Sequence, residues 1–302
     1  MMKKMEYHNP VLLFESVDAL AIKPDGIYVD VTFGGGGHSK EILNRLGDDG
    51  KLFAFDQDED ALQNVIEDER FELIPQNFRY IKRFLRLHGV KEVDGILADL
   101  GVSSHQFDEE SRGFSTRFDS DLDMRMNTQN DLSAFEVVNN YSEEDLANVL
   151  FQYGELRNSR NLAREIVSAR VEKEIKTSFE LKEVLKKYLP KSKEHKILAQ
   201  IFQAIRIEVN QEMEVLKEFL LQTPELLKEK GRLSVISYHS LEDRLVKRFI
   251  KSGMFEGEPE KDFYGNISVP LKKVGKMIVP SKEEIKENNR ARSAKLRVAE
   301  KL

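Results

Sequence analysis

Short apolar runs alternate with segments of helical spacing over the first hundred residues. Four runs predict β-strands, at residues 26–31, 52–55, 71–74 and 95–98. Between them, apolar residues recur every three or four positions and predict helices over residues 39–46, 58–66 and 80–88. Because the runs are continuously apolar rather than alternating, they indicate a buried parallel sheet with helices on its faces.

The pattern changes after Asp99. Residues 104–130 are polar and predict a long loop. Helical spacing then predicts helices over residues 147–151, 162–171, 179–189 and 197–221. A strand over residues 232–237 and a helix over 241–250 precede a tail rich in glycine, proline and lysine. The predicted fold is α/β, a doubly wound, mostly parallel sheet with an inserted all-helical domain.

The same pattern predicts the domain organisation. The main domain is expected to have its first part over residues 1–106 and its second part, with a basic tail, over residues 199–302. The helical insertion is expected over residues 107–198.

Composition indicates a soluble globular protein, since 40% of the 302 residues are hydrophobic and 33% are charged. The sequence lacks an apolar run of the roughly 20 residues that span a bilayer. Residues 1–10 lack the apolar core of a signal peptide, so a cytoplasmic location is expected. Cysteine is absent, which excludes disulfides, thiolate catalysis and cysteine-bound metal centres. The six histidines show no metal-ligand spacing, and no metal is expected.

Charge is distributed unevenly along the chain. The net charge is −6, yet lysine and arginine outnumber acidic residues from Lys272 to the end. Such a segment is what a localised polyanion site requires. A solvated helix face followed by a disordered tail is the plainer alternative.

Three polar features follow the ends of predicted strands, where ligands bind on open parallel sheets. The glycine loop at residues 32–39 lets a ligand approach the backbone at a helix N-terminus. Asp56 follows the second strand and can accept hydrogen bonds from both hydroxyls of a ribose. Asp99 ends the fourth strand. The plainer alternatives are a flexible turn for the loop, a helix cap for Asp56 and a turn residue for Asp99.

The order and spacing of these features together predict an adenosine cofactor. A nicotinamide dinucleotide site calls for a third glycine, and Lys40 and Ile42 stand where it would be sought. S-adenosylmethionine has no pyrophosphate and does not need that glycine, so methyl transfer is favoured over hydride transfer. A Walker-type phosphate loop is excluded because no Gly-Lys-Ser/Thr follows the glycines.

Several longer blocks resemble the signature segments of one family. They are residues 8–13 (HNPVLL), 32–39 (TFGGGGHS), 99–104 (DLGVSS), 112–115 (RGFS), 123–126 (DMRM), 202–207 (FQAIRI), 239–244 (HSLEDR) and 290–294 (RARSA). In order and over nearly the whole chain, they resemble the RsmH (MraW) family of small-subunit ribosomal RNA methyltransferases. The resemblance implies methyl transfer from S-adenosylmethionine to the exocyclic N4 of one cytosine in 16S rRNA, near the decoding site.

The resemblance also implies site residues. For the cofactor these are Gly35, Gly36, Gly37, His38, Asp56, Phe78, Asp99 and Gln106. Phe78 follows the third strand, where its ring can stack on a purine or belong to the core. For the reaction, we expect Asp99 and the backbone carbonyls up to Ser103 to accept hydrogen bonds from the target amine. Tyr238 and His239 are candidates to stack on the base, with helix entry as the alternative role of His239.

The substrate is expected to be the small ribosomal subunit. The candidate phosphate contacts are Arg125, Arg206, Arg244, Arg290 and Arg292. The helical insertion is expected to recognise RNA. Because the localised positive charge of the chain is modest, a folded ribosomal particle is favoured as the substrate over naked RNA. A homodimer is left open. The departures from the family pattern, which concern local loop geometry, are Thr116, Lys196, Tyr238 and Asn289.

Two other classes of function stay open at this point. A non-catalytic ribosome-assembly factor with a retained pocket would bind the cofactor without transferring a methyl group. A nicotinamide-dependent oxidoreductase would bind the dinucleotide and show no affinity for S-adenosylmethionine.

Overall fold

The computed structural model describes residues 10–259, 264 and 267–302. His8 and Asn9, which begin the first family-like block, lie outside the described residues. The chain divides into two compact units, which are treated separately below. The first comprises the described parts of Met1–Gly101 and Met213–Leu302, and the second is Val102–Glu212. The domain boundaries predicted at 106/107 and 198/199 stay a prediction.

A seven-stranded sheet forms the centre of the first unit. Its strands are β1 (Ile27–Asp30), β2 (Lys51–Phe55), β3 (Phe71–Ile74), β4 (Val93–Asp99), β5 (Leu227–Ser237), β6 (Leu271–Ile278) and β7 (Lys295–Lys301). Their order is β3-β2-β1-β4-β5-β7-β6. The first five strands pair in parallel, and β7 is antiparallel to both β5 and β6. The strand order reverses between β1 and β4, so the predicted doubly wound, mostly parallel α/β fold is confirmed.

Twelve α-helices lie in the described part of the chain. They are α1 (Leu13–Asp18), α2 (Gly37–Arg45), α3 (Ile81–Leu87), α4 (Ser104–Asp108), α5 (Ala134–Asn140), α6 (Glu143–Gln152), α7 (Ser159–Glu172), α8 (Ser178–Val184), α9 (Glu194–Asn210), α10 (Glu212–Leu226), α11 (Ser240–Ser252) and α12 (Lys282–Glu287). Short 3-10 helices span Glu59–Asn64, Phe78–Tyr80, Glu110–Arg112, Lys186–Tyr188 and Asn289–Ser293.

The two faces of the sheet belong to different apolar clusters. Successive residues of a strand point to opposite faces, so Tyr28 and Val29 enter different clusters. One cluster joins Tyr28 to residues of α1 and α2, such as Val17 and Ile42. The other joins Val29 to α3, α10 and α11, for example through Phe219. Helices therefore cover both faces, which explains why the strands are continuously apolar.

Several predicted elements differ from the structure near the sheet. The helix predicted over residues 58–66 is wrong, because the chain forms only a short 3-10 helix there, in which the Asp58 carboxylate accepts the N–H of Asp60 at 3.1 Å. The tail after residue 270 contains β6, α12 and β7 rather than unstructured chain. Helix α1 gave no recognised signal, because its six residues are too few for periodicity to be read.

The second unit has its own apolar core. That core is built from residues of α5 to α9, such as Leu146, Leu162 and Ile201. Its loops are tied down by side-chain donors, since the Arg170 guanidinium donates to the Val138 carbonyl at 2.6 Å. The long loop predicted over residues 104–130 is interrupted by α4 and a 3-10 helix.

The helix predicted over residues 197–221 is two helices, α9 and α10. The backbone of Gln211 is left-handed, with φ 50°, and this conformation ends α9. A left-handed residue cannot continue a right-handed helix. Apolar spacing continues across the break, so periodicity alone could not locate it.

No helix in the described ranges is long and apolar enough to cross a membrane.

A strained turn at the start of β5 provides a test of the fold. The pairing of β4 with β5 jumps from Val93↔Leu227 to Gly95↔Arg232, and the exposed Lys230 in the jump has φ 64°. A side chain is disfavoured in that conformation by about 1 kcal/mol. We expect Lys230→Gly to raise the free energy of unfolding by about 0.5–1 kcal/mol in urea titrations. Lys230→Ala keeps the Cβ atom and should give no such gain; equal effects of both would contradict the backbone explanation.

Candidate functional site

The carboxyl ends of four parallel strands bring polar residues to one edge of the sheet. Strand β1 ends at Asp30, β4 ends at Asp99, Asp56 follows β2, and Tyr238 follows β5. Because β1, β2, β4 and β5 run in the same direction, their final residues meet at the same edge. The predicted residues Asp56 and Asp99 therefore lie at the ligand-binding edge of a doubly wound sheet.

The glycine loop connects β1 to α2. Gly34 and Gly36 have φ 50° and 75°, the left-handed region that favours glycine. A Cβ atom on Gly36 would lie 2.9 Å from the Phe33 ring, so a larger residue is excluded there by space as well. Gly35 forms the turn between them, and Gly37 begins α2. The loop thus presents bare backbone beside a helix N-terminus.

Asp30 and Thr32 link the ends of β1 and β4. The fully buried Asp30 carboxylate accepts hydrogen bonds from the Ser39 hydroxyl at 2.7 Å and the Thr32 N–H at 3.1 Å. The Thr32 hydroxyl accepts the N–H of Asp99 at 2.7 Å. Burial raises the pKa of Asp30 against these hydrogen bonds. Sequence reasoning missed both residues, although an aspartate ending an apolar strand is a detectable signal.

The Asp56 carboxylate holds the glycine loop. One oxygen accepts the N–H of Gly34 at 2.7 Å and the other accepts the N–H of Asp58 at 2.9 Å. Burial raises the pKa of Asp56 to about 6, although these two hydrogen bonds oppose the shift. The helix-cap role considered as the plainer alternative for Asp56 is filled by Asp58, which caps the short 3-10 helix that follows. The contact with Gly34 connects Asp56 to the loop.

Asp99 lies between two side chains. The Tyr238 hydroxyl donates to its Oδ1 at 2.8 Å, and the Nδ1 of His38 lies 3.9 Å from its Oδ2. The Asp99 side chain is 22% exposed. Burial raises the pKa of Asp99 to about 6, while His38 and the Tyr238 hydroxyl oppose the shift. The carboxylate is therefore mainly ionised at neutral pH.

His38 is a buried residue next to Asp99. Its Nε2 lies 3.2 Å from the carbonyl oxygen of Val11, and because a carbonyl only accepts, Nε2 carries the proton. The other ring nitrogen, Nδ1, lies on the side of Asp99. Burial lowers the pKa of His38, although the Asp99 charge opposes this. The structure thus connects His38 with the Asp99 carboxylate.

Phe78 packs against the core at this edge. Its ring meets the ring of Phe219 edge-on, with 5.3 Å between centroids. It is half-buried within the short 3-10 helix after β3. Both roles foreseen for Phe78 are therefore physically open to it, since its ring contacts Phe219 and stays partly accessible.

His239 caps helix α11. Its Nδ1 accepts the N–H of Glu242 at 3.4 Å, and the buried Glu242 carboxylate accepts the N–H groups of Tyr238 at 2.8 Å and His239 at 3.3 Å. This is the reciprocal capping box of a helix start. The helix-entry role of His239 is thus present, and Glu242, which sequence reasoning gave no role, fixes the backbone of Tyr238.

Ser103 and Gln106 belong to the second unit. They form the capping box of α4, in which the Ser103 hydroxyl accepts the N–H of Gln106 at 3.2 Å and the Gln106 side chain accepts the N–H of Ser103 at 3.0 Å. The structure therefore brings the loop glycines, His38, Asp56, Asp99 and Tyr238 together at one edge of the sheet, and Ser103 and Gln106 have the local roles described here.

Two of the candidate phosphate contacts are engaged in ion pairs. Arg125 pairs with Asp123 at 2.6 Å, and Arg206 pairs with Glu212 at 2.7 Å. Arg292 is exposed beside the buried Ala291. An arginine already paired with a carboxylate binds phosphate less readily, so Arg125 and Arg206 are better explained as structural residues.

The charge of this edge distinguishes between cofactors. Asp30 raises the pKa of both Asp56 and Asp99 through like-charge repulsion. In the described part of the chain, the partners of these three carboxylates are N–H groups, hydroxyls and one imidazole rather than lysine or arginine. An anionic pyrophosphate is repelled by such a cluster, whereas a cation is attracted. The fold and the site together define an enzyme that binds a cationic, adenosine-type cofactor.

Comparison with known proteins gives the family. The sequence profile of the MraW methylase family matches residues 5–302, and the chain belongs to this family. A ribosomal RNA small subunit methyltransferase H of Flavobacterium johnsoniae is 74% identical over 298 residues, which is 99% of either chain. The protein of the same name from Bacteroides fragilis is 59% identical over 296 residues, or 98% of this chain and 97% of the relative.

The fold was also compared with solved structures. An rRNA methylase from Streptococcus thermophilus has a TM-score of 0.44 and 14% identity, and the match covers 100% of this chain and 99% of that one. Family membership makes this chain a methyltransferase and favours methyl transfer over the oxidoreductase and the assembly-factor alternatives.

The raised pKa of Asp99 predicts a stability effect that depends on pH. The unfolded pKa is about 3.9 and the folded value about 6, so the folded state binds the proton more tightly. Below about pH 4 Asp99 is protonated in both states and does not lower the free energy of unfolding. As the pH rises through about 6, its ionisation lowers the free energy of unfolding. We expect Asp99→Asn to be more stable than the wild type by about 1–2 kcal/mol at pH 8, with a smaller gap at pH 5.

The measurement is chemical unfolding of the cofactor-free protein at both pH values. Asp25→Asn, which changes an exposed carboxylate next to the amino end of β1, is the matched control and should shift little. A gap that is constant with pH would contradict the raised pKa.

Proposed function

We propose that this protein transfers the methyl group of S-adenosylmethionine to the exocyclic N4 of a cytosine in 16S rRNA of the small ribosomal subunit, near the decoding site. The observation that supports this most directly is the carboxylate cluster of Asp30, Asp56 and Asp99 beside the glycine loop, in a chain of the MraW methylase family. The two related proteins named above are small-subunit rRNA methyltransferases by name.

The cofactor matches the charge of the site. S-adenosylmethionine has a sulfonium and an ammonium group and no phosphate, so the buried and partly buried carboxylates of this edge favour it. Gly35, Gly36, Gly37 and His38 would line it along the loop. The Asp56 carboxylate has free lone pairs beyond its two backbone hydrogen bonds and would accept the ribose hydroxyls. Phe78 would contact the adenine, and Asp99 and Gln106 complete the proposed set.

The reaction requires help because the lone pair of cytosine N4 is delocalised into the ring. The cofactor, when bound, supplies an electrophilic methyl group. The ionised Asp99 carboxylate would accept a hydrogen bond from the target amine, orient its lone pair and stabilise the positive charge that develops on it. The backbone carbonyls up to Ser103 would be further acceptors. Tyr238 or His239 would stack on the base.

RNA recognition is assigned to two parts of the chain. The second unit would form the platform that selects the particle. The edge strand β6 exposes Lys272, Lys273 and Lys276, which are suited to phosphate contacts. The exposed Arg292 would add a bidentate contact. Such a localised positive surface on a chain of net charge −6 suits a folded ribosomal particle.

The cytoplasm is the proposed location because small ribosomal subunits are found there. A homodimer stays open, and sedimentation of the purified protein would measure the oligomeric state.

The decisive experiment measures labelled methyl transfer to small subunits that lack the modification, with the product nucleoside identified by mass spectrometry. We expect a single N4-methylated cytidine. Asp99→Ala should lower the turnover with saturating cofactor by about 100-fold or more. Asp25→Asn should keep wild-type turnover. Cofactor binding without methyl transfer by the wild type would favour an assembly factor, and full turnover by Asp99→Ala would contradict the role of Asp99.

The affinity for the cofactor should also depend on pH. A cation stabilises the ionised form of Asp56 and Asp99, whose pKa values are raised to about 6. Protonation below that value removes the attraction, so we expect the affinity for S-adenosylmethionine to fall about tenfold from pH 7.5 to pH 5. Isothermal titration calorimetry measures this directly, and Asp99→Asn should show a weaker dependence. A pH-independent affinity would argue against the carboxylate cluster as the binding determinant.

A further inference from the structure

One contact at the site has no role in the proposed mechanism, namely the hydrogen bond from the Tyr238 hydroxyl to Asp99. The donor–acceptor distance is 2.8 Å, and the acceptor is Oδ1. The other oxygen, Oδ2, lies on the side of His38, 3.9 Å from its Nδ1. The two carboxylate oxygens therefore have different surroundings.

We infer that Tyr238 is a positioning residue that holds the Asp99 carboxylate by one oxygen and keeps the other as the acceptor for the target amine. This role rests on the proposed methyl transfer. It differs from stacking on the base, because it uses the hydroxyl of Tyr238 rather than its ring.

The backbone of Tyr238 is fixed from the opposite side. Its N–H donates to the Glu242 carboxylate at 2.8 Å, within the capping box of α11. On the other side of Asp99, the Asp99 N–H is held by the Thr32 hydroxyl at 2.7 Å, and the Leu100 N–H by the Ile236 carbonyl at 3.0 Å. Because these hydrogen bonds hold both backbones, the Tyr238 hydroxyl and the Asp99 carboxylate are kept within hydrogen-bonding distance of each other.

The hydroxyl also supports the ionised form of the carboxylate. Among the charged and titratable groups that face Asp99, His38 of α2 and Tyr238 lower its pKa, whereas Asp30 of β1 and Glu242 of α11 raise it. Burial is the largest influence and raises it further. A hydrogen bond donated to a carboxylate favours its charged form. Removing the Tyr238 hydroxyl should therefore leave Asp99 protonated over a wider range of pH.

Tyr238→Phe is the test, because it removes the hydroxyl and keeps the ring. With saturating cofactor and small subunits, we expect the acid limb of the kcat profile to move to higher pH by about one unit. At pH 9, where Asp99 is ionised in either protein, kcat should fall only about two- to fivefold, and the KM for small subunits should change little. In the Asp99→Asn background, Tyr238→Phe should have no further effect.

The matched control is Tyr28→Phe. Tyr28 is a fully buried tyrosine of the same unit whose hydroxyl accepts the Lys23 N–H at 2.7 Å. This variant also loses a buried hydroxyl hydrogen bond, at the beginning of β1, and should keep the wild-type acid limb. A shift of equal size in both variants would show general destabilisation and overturn the positioning role.

A second readout does not require turnover. The carboxyl carbon of Asp99, assigned by its loss in Asp99→Asn, can be titrated by ¹³C NMR in the cofactor-free protein. The Asp99 pKa should be higher in Tyr238→Phe than in the wild type, and an unchanged titration overturns the inference. If the wild type transfers no methyl group, the proposed function fails while the titration still decides whether the hydroxyl controls Asp99. If the wild type is active but neither the acid limb nor the titration moves, only the inference fails.

Discussion

The side chain of Thr32 joins the two strands between which the sheet reverses its order. Its hydroxyl accepts the N–H of Asp99 at 2.7 Å and faces the Asp30 carboxylate at 3.4 Å. Asp30 in turn holds Ser39 in the first turn of α2. The end of β1, the start of α2 and the end of β4 are therefore connected through buried and partly buried hydrogen bonds. The glycine loop and Asp99 take their places at the edge because of this connection.

This arrangement is unfavourable for folding by itself. The buried Asp30 repels the partly buried Asp56 and Asp99, and burial raises the pKa of all three. A protein selected for stability alone would place apolar or amide side chains at these positions. Strained and destabilised groups commonly cluster where a ligand relieves the strain. A cationic cofactor would reduce the repulsion between these carboxylates. The site therefore destabilises the protein most when it is empty, and binding of the cofactor lowers that destabilisation.

The sequence predicted the parallel sheet well, because buried strands leave continuous apolar runs, and it predicted two strand ends that are marked by Asp56 and Asp99. It did not predict the hydrogen bonds that define the site. The bond between Tyr238 and Asp99 spans 139 positions, and nothing local indicates it. The tail was missed for a related reason, since β6 is an exposed edge strand rich in lysine and has no apolar pattern. After Asp58 the weak apolar spacing predicted an α-helix, whereas the chain forms a 3-10 helix that is capped locally by the Asp58 side chain.

The tail nevertheless connects to the chemistry. Strand β7 pairs with β5 and places Arg297 2.7 Å and Lys295 3.4 Å from Asp243, in the first turn of α11. The pKa of Asp243 is lowered because these two cations outweigh its burial. Its neighbour Glu242 holds the backbone of Tyr238, whose hydroxyl holds Asp99. The antiparallel strand therefore does more than extend the sheet. It fixes the start of α11, and the position of the proposed reactive carboxylate depends on that helix start.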